Sequence, residues 1–148
     1  STAPLNRDIE VTGPLEIILH AASSAVNTDF TGKLLDVHPD GRAIYIRDGI
    51  IRASFRNGSI RPGNIEPGKV YEYHIDLWAT SNVFKRGHRI RVEISSSNFP
   101  RFDRNLNTGG NFTTETKWAK AEQTIYHSKE HASHIVLPVI PFSSGGGN

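Results

Sequence analysis

Tyr71-Glu-Tyr-His-Ile-Asp-Leu77 alternates apolar and polar side chains without a break. Successive side chains of a β-strand point to opposite faces, so Tyr71, Tyr73, Ile75 and Leu77 share a dry face while Glu72, His74 and Asp76 meet water. The same period of two recurs in Leu15, Ile17, Leu19 and Ala21 against Glu16 and His20, and in Ile90, Val92 and Ile94 against Arg89, Arg91 and Glu93. Helical periodicity is hard to find, so the pattern predicts an all-β chain whose strands each bury one face. Trp78, which ends the quoted run, is expected in the core.

Turn residues stand between these runs. Pro39-Asp40-Gly41 separates a strand at 33–37 from one at 43–47, and Asp48-Gly49 separates the latter from a strand at 50–56. An Asp-Gly pair supplies the positive φ values of a tight hairpin, so two successive hairpins are expected here. Asn57-Gly58, Pro62-Gly63 and Pro67-Gly68 punctuate a loop before the strand at 70–77, a short helical turn is expected around 80–85, and 123–127 and 133–140 read as closing strands. About nine strands with Gly/Pro turns predict a sandwich or barrel. The long connections 57–69 and 96–121 favour a jelly-roll β-sandwich, with crossings between two sheets, over a simple meander. The domain is expected to fill residues 1–141, and 142–148, with its Ser-Ser-Gly-Gly-Gly run, to form a flexible tail.

A chain of 148 residues, 36% hydrophobic and 22% charged, can bury a sizeable core without a disulfide or a metal. The absence of cysteine removes thiol nucleophiles, Cys-ligated zinc and iron–sulfur clusters. The absence of methionine fits a piece processed or excised from a longer chain. A net charge of +2 with acids and bases interspersed gives no basic stripe, so no nucleic-acid partner is expected. No apolar run approaches the roughly 20 residues that span a bilayer, and no membrane partner is expected. Residues 1–7 lack a signal-peptide core, which leaves cytoplasmic and secreted locations both open because a leader is removed on export.

A serine hydrolase needs its nucleophile on a strained G-x-S-x-G turn, and no serine here is flanked in that way. No catalytic residue is assigned. His127-Ser-Lys-Glu-His131 matches the H-x-x-E-H pattern of some zinc peptidases, but that pattern works on a helix, where residues four apart share a face. Between two strand-like segments it reads as a polar turn, and no metal ligand set is assigned. A structural calcium fits β-sandwich loops, with Asp29, Asp36, Asp40 and Asp103 as candidate ligands, although no D-x-D-x-D-G loop is present. No other cofactor is implied.

The segment from Ser95 to Gly110 is too rich in aromatic and arginine residues for a plain linker. Phe99, Arg101, Phe102, Asp103, Arg104 and Asn105 are the candidate ligand-binding or interface residues, because aromatic and arginine side chains supply much of the binding energy at interfaces. The alternative is structural: the two phenylalanines plug one end of the sandwich and the arginines pair with nearby acids. Trp118, in the polar stretch 113–120, and Tyr45 are candidates for a sugar-stacking surface.

Several strings together resemble one family. They are Val11-Thr-Gly-Pro14, Thr28-Asp-Phe30, Leu35-Asp-Val-His-Pro-Asp-Gly-Arg42, Asp48-Gly-Ile-Ile-Arg52, Pro67-Gly-Lys-Val-Tyr71, Leu77-Trp-Ala-Thr-Ser-Asn-Val-Phe84, Gly87-His-Arg-Ile-Arg91 and Ser95-Ser-Ser-Asn-Phe-Pro-Arg-Phe-Asp-Arg-Asn105. The chain resembles the C-terminal domain of the cocaine-esterase / X-Pro dipeptidyl-peptidase hydrolases from about residue 5 to residue 141. The resemblance implies a galactose-binding-like jelly-roll packed on an α/β-hydrolase domain that carries the catalytic Ser, Asp and His. It also implies strands upstream of Ser1, and a strand edge left uncovered would invite self-association.

Two functions follow. In the first, the chain is a non-catalytic accessory domain that packs on an α/β-hydrolase catalytic domain and helps shape its substrate cleft through the 99–107 loop. In the second, it is a carbohydrate-binding module for a plant or bacterial polysaccharide, which rests on fold analogy. An exposed pair of coplanar aromatics would favour the second, and a broad apolar patch around Phe99 and Phe102 the first.

Overall fold

The alternating segments form two antiparallel sheets in the computed structural model, which describes residues 1–58 and 62–141. The strands are β1 (Ile9–Ser23), β2 (Asp29–Val37), β3 (Ala43–Arg52), β4 (Tyr71–Phe84), β5 (Arg89–Ser95), β6 (Gln123–Ile125) and β7 (His134–Val136). One sheet runs β4-β1-β6, with β7 also paired to β1, and the other runs β3-β2-β5. The chain therefore crosses between sheets after β1, β3, β4 and β5, giving the expected jelly-roll β-sandwich of the galactose-binding-like kind. The tail expected at 142–148 lies outside the described residues.

The core lies between the sheets. Leu15, Ile17 and Leu19 of β1 and Tyr73, Ile75 and Leu77 of β4 bury the dry faces read from the sequence, and they meet Phe30 and Leu34 of β2. Phe30 and Tyr73 stack across the gap with ring centroids 4.8 Å apart. The sheets close on the β3/β4 side, where Arg47 Nε donates to the Ala79 carbonyl at 2.8 Å. On the β5/β7 side they part around an apolar cleft of about 380 Å³ lined by Ile17, Leu19, Ile90, Val92, Ile94 and Ile135. Residues 1–5 run along the outer edge of β5, with Thr2 N donating to the Ile90 carbonyl and Leu5 N to that of His88.

Four local expectations are corrected. Asp48-Gly49 is not a hairpin: it lies inside β3, where Lys33 pairs with Asp48 and Gly32 with Gly49. Gly49 is there for proximity, because a Cβ on it would collide with the backbone carbonyl of Asp76 on β4. With that hairpin gone, and 50–56 becoming the end of β3 plus a short 3₁₀ turn at Ala53–Phe55, the described residues hold seven strands and not nine. The helical turn expected at 80–85 is the second half of β4. Crossing between sheets also needs no long loop, since residues 85–88 suffice to carry the chain from β4 to β5.

The fourth concerns Trp78, which is 70% exposed. It continues the outward phase of Glu72, His74 and Asp76 rather than lying in the core. The ladder shifts here: Pro14 pairs with Ala79 but Glu16 with Asp76, so Leu77 and Trp78 together oppose Leu15. Trp78 takes the left-handed φ of 64° in this β-bulge. The extra residue reverses the phase of β4. Odd positions up to Leu77 point inward, and Phe84 becomes the buried anchor beyond the bulge.

Candidate functional site

Two buried carboxylates organise the loop that follows β5. Asp48 is buried on the face of β3 turned away from β4, beneath the loop, and its Oδ1 accepts from the Tyr45 hydroxyl at 2.8 Å and lies 3.0 Å from Arg101 Nη1, while its Oδ2 accepts from Asn98 Nδ2 at 2.6 Å. Arg101 Nη1 also donates to the Tyr45 hydroxyl at 3.3 Å. Asp29 opens β2 directly opposite Arg52, the last residue of β3. Its carboxylate accepts from Arg52 Nε and Nη2 at 2.9 and 3.1 Å and from Asn105 Nδ2 at 2.7 Å. Arg52 Nη2 reaches on to Asp103 at 3.2 Å, and the guanidinium carbon lies 5.0 Å from the Phe112 ring centroid. Hydrogen bonding to Asp29, with its charge and that of Asp103, raises the Arg52 pKa above the usual arginine range.

These contacts pin the loop at Asn98, Arg101, Asp103 and Asn105. The return limb is fixed as well, since Asn107 Nδ2 donates to the Ala119 carbonyl and Ala119 N to that of Leu106, both at 2.9 Å. Between exposed Arg101, Asp103 and Arg104, the loop also presents aromatic surface. Phe99 is 66% exposed, Phe102 is half-buried beside the Arg101 guanidinium, and Ile44 and Tyr45 on β3 are also exposed.

The structure thus brings together Tyr45 and Arg101 through Asp48, and Asp103 and Asn105 through Arg52 and Asp29. Arg104 is exposed and joins no ion pair among the described residues. Trp118 is 76% exposed on the return limb, and neither it nor Tyr45 forms an aromatic pair among the described residues. Sequence reasoning missed Asp48, Asn98, Arg52 and Phe112. Beside Gly49, Asp48 reads as a turn residue, and the Asp29–Arg52 pair becomes visible only when the β2–β3 register sets opposite charges side by side.

The calcium candidates have other partners. Asp29 and Asp103 accept from Arg52, Asp40 from Arg42 Nε at 2.6 Å, and Asp36 lies against His88. The string at 127–131 is a turn between β6 and β7, with His127 bridged to Ala132 and the His131 ring packed on Tyr126 and His20. Chemically, the cluster fixes the loop through its ion pairs and hydrogen bonds and leaves Phe99, beside exposed Arg101, Asp103 and Arg104, facing the solvent. That arrangement suits contact with another surface.

The family model described as the X-Pro dipeptidyl-peptidase C-terminal non-catalytic domain matches residues 1–136. Over 142 residues the chain is 53% identical to cocaine esterase of Rhodococcus sp. strain MB1 Bresler, covering 95% of this chain and 25% of that protein. An aminopeptidase from the marine sediment archaeon Thaumarchaeota archaeon superposes with a TM-score of 0.90 at 31% identity, covering 95% of this chain and 25% of its own. A selenomethionine-labelled α-amino acid ester hydrolase gives 0.88 at 29% identity, covering 94% and 25%. The chain spans about a quarter of the length of each of these relatives. The chain belongs to the X-Pro dipeptidyl-peptidase C-terminal non-catalytic domain family.

Proposed function

We propose that this accessory domain packs on an α/β-hydrolase catalytic domain of esterase or dipeptidyl-peptidase type and uses the 99–107 loop to wall its substrate cleft. One observation carries the reading: Phe99 is held out at 66% exposure while the loop on both sides of it is pinned to buried Asp48. A loop that is already ordered loses little conformational entropy on contact, and an aromatic on a rigid base is the usual anchor of an interface. The apolar cleft between β5 and β7 adds a second surface suited to a neighbour.

The test is made in the full-length protein that carries this chain. Phe99→Asp is expected to lower kcat/KM for its ester or peptide substrate by about 10-fold, the effect of losing one interface anchor. Unchanged kinetics and unchanged thermal stability would overturn the role of the loop. The 148-residue chain alone is expected to give no turnover of a p-nitrophenyl ester, and turnover that survives rigorous purification would overturn the non-catalytic reading. The polysaccharide alternative has the exposed Trp118 in its favour. Retardation in affinity gels containing xylan, β-glucan or galactan, abolished by Trp118→Ala, would support it, and no retardation would remove it.

A further inference from the structure

We propose that Asp36, His38 and His88 form a binding site for a divalent transition-metal cation of the zinc class. The fold assembles the three from two strands. Asp36 pairs with Ile90 and Val37 with Arg89, so the same antiparallel register carried one step further sets His38 opposite His88. Alternate residues share a face, which places Asp36, His38 and His88 on one side of the sheet. The two imidazoles accordingly stack with centroids 4.2 Å apart.

The distances suit a single ion. His88 Nδ1 lies 2.9 and 3.1 Å from the Asp36 oxygens, His38 Nε2 lies 3.9 Å from Oδ2, and the three prospective ligand atoms fall within 4.8 Å of one another. Bonds of about 2.0 to 2.2 Å in a tetrahedron set neighbouring ligand atoms roughly 3.3 to 3.6 Å apart. Small side-chain adjustments therefore bring all three to one centre, with a fourth position for water. Two imidazole nitrogens and one carboxylate oxygen suit zinc, cobalt, nickel or copper, whereas calcium and magnesium prefer sets made of oxygen alone.

A second observation points the same way. Asp29, Asp36 and Asp48 are the buried carboxylates among the described residues. Asp29 is matched by Arg52 and Asp48 by Arg101, but Asp36, 7% exposed, has only the two imidazoles near it. In the connections that carry His38 and His88, Arg42 pairs with Asp40 and Lys85 with Asp8, and no lysine or arginine pairs with Asp36 among the described residues. A buried carboxylate needs a compensating positive charge, and a divalent ion between it and two imidazoles supplies one. Such an ion would tie the β2–β3 turn to the β4–β5 connection, a structural role away from the loop surface.

The test uses the 148-residue chain stripped with EDTA and titrated with zinc chloride by calorimetry. One equivalent is expected to bind saturably, and a hundredfold excess over Kd is expected to raise Tm by on the order of 5 °C. Calcium chloride should leave Tm unchanged. His38→Ala and Asp36→Asn are expected to weaken zinc binding by about 10-fold or more, while His131→Ala leaves it intact. Long-range imidazole NMR of the wild-type chain, which does not depend on any variant folding, is expected to show zinc shifting the His38 and His88 rings. Absence of saturable binding, unperturbed His38 and His88 resonances, or loss of binding in His131→Ala with retention in His38→Ala would each overturn the proposal.

Discussion

Arg52 closes on Asp29 with Nε and Nη2, 2.9 and 3.1 Å from the two carboxylate oxygens, where the paired ends of β2 and β3 meet the loop after β5. The planar guanidinium matches the carboxylate geometry in a way that a lysine ammonium does not. Truncating Arg52 to Leu strands a carboxylate that is almost fully buried. A loss of about 3 to 5 kcal/mol in urea unfolding is expected. Asp103 lies on the exposed side of the same guanidinium, so Asp103→Ala should cost less than about 1 kcal/mol. Equal costs for the two variants would show that burial is not what distinguishes them.

Gly49 touches the backbone of the opposite sheet, and an added methyl group would have to move the Asp76 carbonyl, which no side-chain rotation can relieve. Gly49→Ala is expected to destabilise by about 3 kcal/mol or more. Gly41, in the β2–β3 turn, has open space around it but a φ of 88°, so Gly41→Ala should cost about 1 kcal/mol through backbone strain alone. Paired thermal melts compare the two.

Tyr73 is fully buried, and its hydroxyl has no hydrogen-bond partner among the described residues. Burial pushes its pKa up to about 12. Tyr73→Phe removes an unsatisfied polar group and should leave stability unchanged or raise it by about 1 to 2 kcal/mol. Because the folded-state pKa exceeds the unfolded value near 10, the wild type loses stability as pH rises from about 10 to 12. The phenylalanine variant should lose less across that window, and parallel alkaline melts would refute this.

His74 bridges Glu16 and Glu72, each at 2.9 Å, and hydrogen bonds to first Glu16 and then Glu72 raise its pKa. The stabilising contribution is therefore complete below the unfolded histidine value near 6.5 and is lost as pH climbs through the raised folded value. The wild type should melt slightly higher than His74→Gln at pH 6, and the gap should close by pH 9. The site is half exposed, so the gap stays within about 1 kcal/mol. A gap that widened with pH would contradict the assignment.

The sequence by itself determined the all-β class, the dry faces of β1, β4 and β5, the turn at Pro39-Asp40-Gly41, and a loop after β5 with more than linker content. Each is written in near neighbours, because strand alternation and turn preference act over a few residues. It also carried the family resemblance. Only the tertiary structure decided that Asp48-Gly49 lies within a strand, since the reason for Gly49 is the carbonyl of Asp76 on another sheet. Only it placed a bulge at Trp78, which reverses the phase of β4 beyond it, and set Asp29 against Arg52, Asp48 against Arg101, and His38 against His88. Register and sheet-to-sheet contact join residues far apart in the chain, and no local pattern encodes which of them will meet.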